Sequence, residues 1–255
     1  MRRATRGAIE ASIVIDCFPG SVAKYADDHR VVVVDVIRAT TLVVTAVATG
    51  RRCLVATGRD EAIAIRKRIG GAVLAGELAG DMPDGFDMNN SPAGLDLRTD
   101  VDRPLIMVSS SGAPLMLEAG RLAEGADVAC FRNFSAVARD LIGNHRRVAI
   151  VGAGSRGEFR EEDQMCCAWI GELLTRAGYM PETDETRQII ERWSGAPATA
   201  CESGKSVAYL RRSGQLRDFD FIVSHVDDLD VGCSIEGNEV FAPLRAAQAT
   251  TSAAG

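Results

Sequence analysis

The feature that most constrains the fold is a regular alternation between short β-branched runs and segments with helical periodicity. The runs are typical of buried strands: "SIVIDC" (12–17), "RVVVVDV" (30–36), "RCLVAT" (52–57), "AVLAGE" (72–77), "PLIMVSS" (104–110), "ADVACF" (126–131) and "RRVAIVG" (146–152). Between them, apolar residues recur at i, i+3 and i+4, as in residues 60–69 and 135–142. Because a parallel strand needs a crossover connection, usually a helix, this order predicts a three-layer α/β/α fold with a mostly parallel sheet.

The pattern changes after about Glu161. Helical segments then follow one another at residues 161–178, 184–193 and 202–214, before a closing β pair around "VGCSIEGNEVFAPL" (231–244). Nothing in the composition marks a linker. We therefore expect one α/β domain over residues 12–245 with a helix-rich C-terminal part, and flexible ends at residues 1–11 and 246–255, the second being an Ala/Thr/Ser tail from Ala246.

Composition and charge narrow the class of partner. The chain has 255 residues, 46% of them hydrophobic, which is ample for a buried core. Its formal charge is −6 and its basic residues are scattered, which argues against nucleic-acid binding. No apolar run reaches the ~20 residues of a membrane span, and the N-terminus lacks a signal-peptide core, so we expect a cytoplasmic protein without a membrane partner. Seven cysteines without C-x-x-C spacing predict reduced core thiols.

Two short motifs resemble nucleotide-binding sequences. "GAGSRG" (152–157) matches G-x-G-x-x-G, but that fingerprint needs a further strand carrying an acidic residue roughly 20 residues on, and here helix follows helix. We favour a tight turn whose backbone N–H groups face a helix start. The acidic residues of that start, 161–163, either satisfy the helix dipole or ligate a metal. "CESGKS" (201–206) lacks the glycine spacing and the preceding strand of a P-loop.

Polar residues cluster where the predicted strands end. They are Asp35 and Arg38 after "VVVV", Glu77 after "AVLAG", residues 109–112 after "LIMV", Asn133 after "VACF" and Gly154 after "VAIV". Open α/β sheets bind ligands at the carboxyl edge of their parallel strands, so these residues are predicted to share one crevice. The long segment 77–103, rich in Gly, Pro, Asp and Asn, has no periodicity and is expected to be a functional loop.

Phosphate-ester cleavage is the chemistry that these residue types suit. Arg38 can donate two parallel hydrogen bonds to phosphate oxygens, and further donors are available from Thr40, Thr41, the serines and the glycine amides. Magnesium accepts a few carboxylates, which Asp35, Glu77, Asp87 and either Glu162 or Asp163 could supply. Two simpler interpretations stay open. Asp35 and Arg38 form only an ion pair at a helix start, or Ser109–Ser111 forms only an N-cap.

Several of these segments occur in a fixed order that is similar to a known family. They are "DVIRATT" (35–41), "GE" (76–77), "GFDMNNSP" (85–92), "SSSGA" (109–113), "FRNFSAVA" (131–138) and "AGSRGEFREED" (153–163). Together they resemble the 2-phosphosulfolactate phosphatase family from about residue 12 to residue 245. The resemblance implies an α/β/α fold and a magnesium-dependent phosphatase that hydrolyses 2-phosphosulfolactate to sulfolactate and phosphate, on a route to coenzyme M or to free sulfolactate.

With this resemblance, the sequence predicts a set of site residues. The expected catalytic residues are Asp35, Arg38, Glu77 and Glu162. The expected substrate-binding residues are Thr40, Thr41, Asn90, Ser110, Ser111, Gly112, Asn133, Gly154, Ser155 and Arg156. The expected Mg²⁺ ligands are Asp35, Glu77, Asp87 and Asp163. The expected partner is a small phosphorylated anion, and a homodimer is a reasonable assembly for this fold.

The chain departs from the family pattern near the expected site. Leu78 stands where the family usually has arginine, Ser111 where it has asparagine, and Gly152 where it has cysteine. The family usually has a "TEGRF"-like loop where this chain has "SRGEF" (155–159), so Arg156 and Glu158 invert the usual order of charges. We expect Arg132, Arg156 and Arg160 to meet the sulfonate and carboxylate of the substrate. The departures leave open another phosphorylated acid, a nucleotide, or a ligand-binding homologue without turnover. A nicotinamide enzyme is a further alternative.

Overall fold

A computed structural model describes residues 11–122 and 124–243 of the chain. The predicted flexible ends, apart from Ala11, therefore lie outside the described residues, as do residues 244 and 245 at the end of the predicted domain. The strands are β1 (Ser12–Cys17), β2 (Arg30–Val34), β3 (Cys53–Val55), β4 (Val73–Gly76), β5 (Leu105–Val108), β6 (Ala126–Ala129), β7 (Arg147–Gly152), β8 (Met180–Pro181), β9 (Cys233–Glu236) and β10 (Glu239–Phe241). All seven predicted strands and the closing β pair are confirmed.

The helices fall between and after these strands. They are α1 (Val22–Tyr25), α2 (Ala39–Ala48), α3 (Arg59–Ile69), α4 (Pro92–Asp96), α5 (Gly112–Ala119), α6 (Phe134–Leu141), α7 (Glu161–Arg176), α8 (Asp184–Trp193), α9 (Lys205–Arg212) and α10 (Leu216–Ser224), with 3₁₀ turns at Pro19–Ser21 and Ala198–Cys201. The predicted C-terminal helices are confirmed. Within the 77–103 segment, α4 is too short to show periodicity and was not predicted; Ser91 caps its N-terminus by accepting the Gly94 N–H.

The ten strands of the described residues form one sheet in the order β4-β5-β3-β10-β9-β6-β2-β7-β1-β8. Six of the nine pairings are parallel, which confirms a mostly parallel sheet. The β9–β10 hairpin is antiparallel to both of its neighbours, β3 and β6. As a result, the block β4-β5-β3 runs in the opposite direction to the block β6-β2-β7-β1-β8. The prediction that the polar residues share one parallel edge is therefore wrong, because the last hairpin enters the middle of the sheet.

The two blocks nevertheless come together because the sheet bends around α2 and α5. Strands β2 and β5 are five strand spacings apart in the sheet order, about 24 Å if the sheet were flat. Yet Gly112, at the start of α5, packs so closely on Ala39 and Asp35 that a Cβ at position 112 would collide with both. One hydrophobic core unites α2 and α5 with strands of both blocks. The helices that follow β6 pack on the opposite face of β1, β2 and β7, and α3 packs on β3–β5.

The cysteines bear out a further expectation. Each of the seven cysteines is a buried free thiol, as predicted for reduced core residues. Among the described residues, no helix combines the length and the apolar character needed to cross a membrane.

The central position of the hairpin can be tested by comparing two apolar side chains. Ile235 of β9 is completely buried, whereas Met180 of the edge strand β8 is 54% exposed. Ile235→Ala should lower the free energy of unfolding by about 2–5 kcal/mol because it leaves a cavity in the core. Met180→Ala should change it by less than about 0.5 kcal/mol. Urea unfolding followed by circular dichroism measures both, and equal effects would contradict the central placement of β9.

Candidate active site

A cavity of about 760 Å³ opens where the N-termini of four helices meet. Its walls come from the segments that follow β2, β4, β5 and β7, together with α7 and α9. Helix N-termini present unpaired N–H groups and a partial positive charge, so they favour anionic ligands. The start of α2 follows Arg38 and that of α5 follows Ser111, while Asp163 and Ser206 lie in the first turns of α7 and α9.

Most of the predicted site residues line this cavity although they are far apart in the sequence. Those that do are Asp35, Arg38, Glu77, Asn90, Ser110, Ser111, Gly154, Ser155, Arg156 and Asp163, together with Arg160. Gly112 lies directly against Asp35 at the start of α5. The convergence that the sequence predicted is therefore present, although it arises from the bend in the sheet.

Arg38 is the most deeply buried cation of the cavity, with 3% of its side chain exposed. Its Nη1 donates to Asp218 Oδ2 (2.5 Å) and to Gln215 Oε1 (2.6 Å), and its Nη2 donates to Asn90 Oδ1 (2.6 Å). Asp35 instead accepts the Ala39 N–H at 3.2 Å. The simple ion pair between Asp35 and Arg38 is therefore not formed, because Asp218 is the partner of the guanidinium.

Asp35, Glu162 and Asp163 form a buried group of carboxyls. Burial raises the pKa of Asp35 to about 7, with the charges of Glu162 and Glu77 acting in the same direction, against the Ala39 N–H and Arg38. Burial, followed by the charges of Asp35 and Glu162, also raises the pKa of Asp163, whose Oδ1 accepts the Val36 N–H at 2.8 Å.

Glu162 is the member of this group that lies behind the cavity wall. It is 1% exposed, does not line the cavity, and its Oε2 has no hydrogen-bond partner among the described residues. Burial raises its pKa as well. No three Asp, Glu, His or Cys side chains in the described part of the chain are arranged to hold a metal ion by themselves.

Glu77 joins two loops at the rim of the cavity. Its Oε1 accepts the Ser110 N–H and its Oε2 accepts the Gly80 N–H, both at 2.7 Å. The Ser110 hydroxyl in turn accepts the Ala79 N–H at 2.7 Å. Ser109 acts as a helix cap, since its hydroxyl accepts the Ala113 N–H at 2.8 Å. Part of the serine run therefore has the capping role that the sequence left open.

The loop after β7 is a tight hairpin that carries charged side chains to the cavity. Ser155 and Glu158 exchange two backbone hydrogen bonds, and Arg156 and Gly157 between them both have positive φ, which is a type I′ turn. Gly154 also has positive φ, and a Cβ there would meet Cys17 Sγ at 2.7 Å. Glu158 then pairs with Lys205 (2.5 Å) and Arg160 (3.1 Å).

Asp87, a predicted metal ligand, and Asn133, a predicted substrate-binding residue, lie outside the cavity because their side chains are hydrogen-bonded to backbone groups. Asp87 Oδ2 accepts the Leu74 N–H (2.8 Å) and pairs with Arg66 (3.3 Å), so its carboxylate links β4 to α3. Asn133 is fully buried, accepts the Cys130 N–H and donates to the Val128 carbonyl. The structure thus gives both side chains a role in holding the fold.

Three further predicted residues are also turned inward. The hydroxyls of Thr40 and Thr41 donate to the backbone carbonyls of Asp35 and Val36, at 2.8 and 2.7 Å. Arg132 is bound to Asp228 through Nε and Nη2 and to Thr45 through Nη1. None of the three lines the cavity, so Arg132 does not join the other cations there.

The loop geometry also bears on the two discarded nucleotide motifs and on the missing cysteine. A two-residue strand, β8, does follow α7, but it pairs with β1 at the sheet edge, and Glu182 next to it binds Ser12. Residues 201–206 follow a 3₁₀ turn, without the strand of a P-loop.

At Gly152 a Cβ would collide with the Phe159 ring. The thiol nearest to Gly154 is Cys17, and burial raises its pKa to about 12.

Sequence reasoning missed the contribution of the C-terminal helices. Lys205, Ser206, Tyr209 and Arg212 of α9 line the cavity, and Gln215 and Asp218, at the start of α10, hold Arg38. The discarded "CESGKS" string was a usable signal, since a glycine, a lysine and a serine at a helix start are suited to an anion. Asp218 carried no such signal, because a single acid in a helix is ordinarily exposed.

The fold and the cavity define an α/β protein with a polar site for a small anionic ligand. The family model described as 2-phosphosulpholactate phosphatase matches residues 18–231. A protein of Pseudothermotoga lettingae named probable 2-phosphosulfolactate phosphatase is 37% identical over 171 residues, covering 66% of this chain and 70% of the relative. Proteins of the same name from Deinococcus radiodurans (32% identity, 74% and 80% covered) and Clostridium acetobutylicum (33%, 74% and 83%) are also similar. The chain belongs to the 2-phosphosulfolactate phosphatase family, which confirms the resemblance.

The raised pKa of Asp35 predicts how the stability of the metal-free protein depends on pH. The folded state keeps a proton on Asp35 up to about pH 7, whereas an unfolded Asp loses it near 3.8. Between these values the folded state binds more protons, so this group makes stability fall as pH rises. In EDTA at pH 8, Asp35→Asn should be more stable than wild type by on the order of 1 kcal/mol or more, the equivalent of one pKa unit.

The difference should disappear near pH 3, below the value of 3.8 for an unfolded Asp, where the carboxyl is mostly protonated in both states. Chemical unfolding from about pH 3 to pH 8 measures it, and Asp102→Asn, at an exposed position, is the matched control. A stability difference for Asp35→Asn that is the same at both ends of this range would contradict the raised pKa.

Proposed function

We propose that the chain is a phosphoric monoester hydrolase that cleaves 2-phosphosulfolactate to sulfolactate and inorganic phosphate. The names of the relatives support this substrate, and the phosphatase family to which the chain belongs supports the reaction class. In the reaction, a water oxygen bonds to phosphorus and releases a proton, while the P–O ester bond breaks and the ester oxygen leaves with the electron pair and takes up a proton. A cytoplasmic location and a homodimer stay predictions.

The observation that carries the proposal is the way Arg38 faces the cavity. Three of its five N–H groups bind Asp218, Gln215 and Asn90. No described residue accepts from Nε or from the second Nη2 hydrogen, and these donors sit on adjacent nitrogens of one plane. A guanidinium edge of this kind can bind two phosphate oxygens at once. The N-termini of α2 and α5 add donors for the remaining oxygens and for the charge that develops during the reaction.

We also propose magnesium as the cofactor, and the donor set fits it. Glu162 has a buried carboxylate oxygen without a partner among the described residues, and burial, with the charges of Asp35 and Glu162, raises the pKa of Asp163. Magnesium prefers carboxylate oxygens and keeps several waters, so Asp35 and Asp163, which line the cavity, would suffice to hold it. When bound, the ion would neutralise charge on the phosphoryl oxygens. Glu77, whose oxygens accept two loop N–H groups, would position the loop.

Water or a carboxylate of the cavity is the nucleophile that this chain leaves available, because no suitable thiol is present among the described residues. A thiol at position 152 is excluded by Gly152 and by the Phe159 ring in front of it. Cys17 is a poor substitute, since only the thiolate attacks readily and burial keeps this thiol protonated at neutral pH.

Further cations at the mouth of the cavity suit the other anionic groups of the substrate. Arg156, Arg160, Lys205 and Arg212 all line it. A substrate with a sulfonate and a carboxylate beside its phosphate needs such partners, since a buried anion without one is costly. Glu158 already pairs with Arg160 and Lys205. It would therefore compete with the substrate for these two cations.

The proposal is tested by measuring phosphate release from a series of esters. We expect magnesium-dependent turnover of 2-phosphosulfolactate with a kcat/KM at least about tenfold above those of phospholactate, phosphoglycerates and nucleoside monophosphates, which corresponds to about 1.4 kcal/mol in the transition state. EDTA should abolish turnover, and added Mg²⁺ should restore it.

Each part of the proposal has its own contrary outcome. Faster turnover of another ester would replace the substrate and keep the reaction class. Full activity after thorough EDTA treatment would overturn the magnesium assignment. Binding of 2-phosphosulfolactate in calorimetry without any phosphate release would identify a ligand-binding homologue in place of an enzyme.

Removal of Glu158 tests the competition at the cavity mouth. Glu158→Gln should lower KM for 2-phosphosulfolactate by about twofold to fivefold, the range expected for exposed ion pairs. It should leave KM for phospholactate, which lacks the sulfonate, less affected. Glu161→Gln is the control, since Glu161 is a neighbouring acid that does not line the cavity. An equal change of KM for both esters would show that Glu158 does not compete with the sulfonate.

A further inference from the structure

Asp218 is a buried carboxylate that does not itself line the cavity. It lies in the first turn of α10 and is 2% exposed. Its Oδ2 accepts from Arg38 Nη1 at 2.5 Å, and its Oδ1 accepts from the Ser91 hydroxyl and from the Ala93 N–H. Both oxygens are therefore used, and the side chain is fixed from two directions.

The neighbours of Asp218 hold the same guanidinium. Gln215 Oε1 takes the other Nη1 hydrogen of Arg38 and also accepts from Asn89 Nδ2 (2.7 Å). Asn90 Oδ1 binds Nη2. Three consecutive residues, 89–91, thus contact Arg38 or the residues that hold it. Among the described residues, Nε has no acceptor and Asn90 is the one acceptor of Nη2, so Nε and Nη2 keep donors that a ligand can use.

Stability alone is a weak reason for such an arrangement. A buried ion pair loses the hydration of both charges, and replacing it by apolar side chains is often neutral or stabilising. What the pair does accomplish is orientation, because a long arginine side chain with many rotamers is confined to one position. The functional contribution of Asp218 is then expected at the cavity.

We propose that Asp218 is a positioning residue for Arg38, which turns the free guanidinium edge toward the phosphoryl group of the substrate. This inference rests on the proposed phosphatase function for its kinetic test, and on phosphate binding for an independent one. Asp218 does not touch the substrate itself, and it acts through the arginine.

Asp218→Asn is the informative substitution, because the shape is kept while one acceptor of the arginine is replaced by a donor. We expect kcat/KM for the phosphate ester to fall about tenfold or more, chiefly in kcat, since orientation matters most in the transition state. The Kd for inorganic phosphate, measured by calorimetry with magnesium present, should rise. Thr183→Ala removes the N-cap of α8, far from the cavity, and controls for a loss of stability without a change in kcat/KM.

A double-mutant cycle separates positioning from a purely structural role. In an Arg38→Ala background there is nothing to position, so Asp218→Asn should change kcat/KM by less than about twofold. It should raise Tm there, because it removes an unpaired buried charge. Equal losses of activity in both backgrounds, or wild-type kcat/KM and phosphate affinity in Asp218→Asn, would overturn the proposal.

The two proposals fail in different ways. If the wild type hydrolyses no phosphate ester, the proposed function fails, and the phosphate Kd of Asp218→Asn still decides the positioning role. If the wild type does not bind inorganic phosphate either, both proposals are overturned.

Discussion

The structure depends on the packing of two helices, α2 and α5, inside a bent sheet. The N-termini of the helices meet where Gly112 lies against Ala39 and Asp35, and only a residue without a Cβ permits this approach. Strands that run in opposite directions can then send their carboxyl ends to one cavity. The remaining walls, from the loop after β7 and from α9, are built around this contact. The anion-binding character of the cavity is a consequence, because helix starts gather at one point.

The sequence was a reliable guide to local structure and to most of the residues that come together around the cavity. Strong β-branched runs such as "VVVV" specify buried strands regardless of their neighbours, so all seven were found. The sheet order was not accessible, because the β9–β10 hairpin has no local property that distinguishes a central from an edge position. Asp87 and Asn133 were misplaced for a related reason. Their residue types suit ligands as well as backbone caps, and only the Leu74 and Cys130 N–H groups beside them decide.

Electrostatics explain why the cavity needs residues from the whole chain. Asp35 and Asp163 are buried beside Glu162, and their charges are incompatible unless protons or a cation are present. Arg38 is a buried positive charge. It is neutralised by Asp218 of α10, which lies 180 residues later in the sequence. Each half of the cavity thus has its own local balance of charge. A phosphate ester would lie between these two groups. On one side it would contact Arg38, which Asp218 neutralises without occupying all of its N–H groups. On the other side it would face Asp35 and Asp163, whose mutual repulsion favours a divalent cation.

The late position of the hairpin in the sequence has a consequence for biosynthesis. Until β9 and β10 leave the ribosome, the facing edges of β3 and β6 have no partner, although every other strand has already been made. Two open strand edges are templates for pairing with other chains, and sheet closure across such a sequence separation is slow. The edges of β3 and β6 are therefore open to such pairing until residues 233–241 have been synthesised. The sheet, and the cavity that the bent sheet creates, become complete only when β9 and β10 are in place.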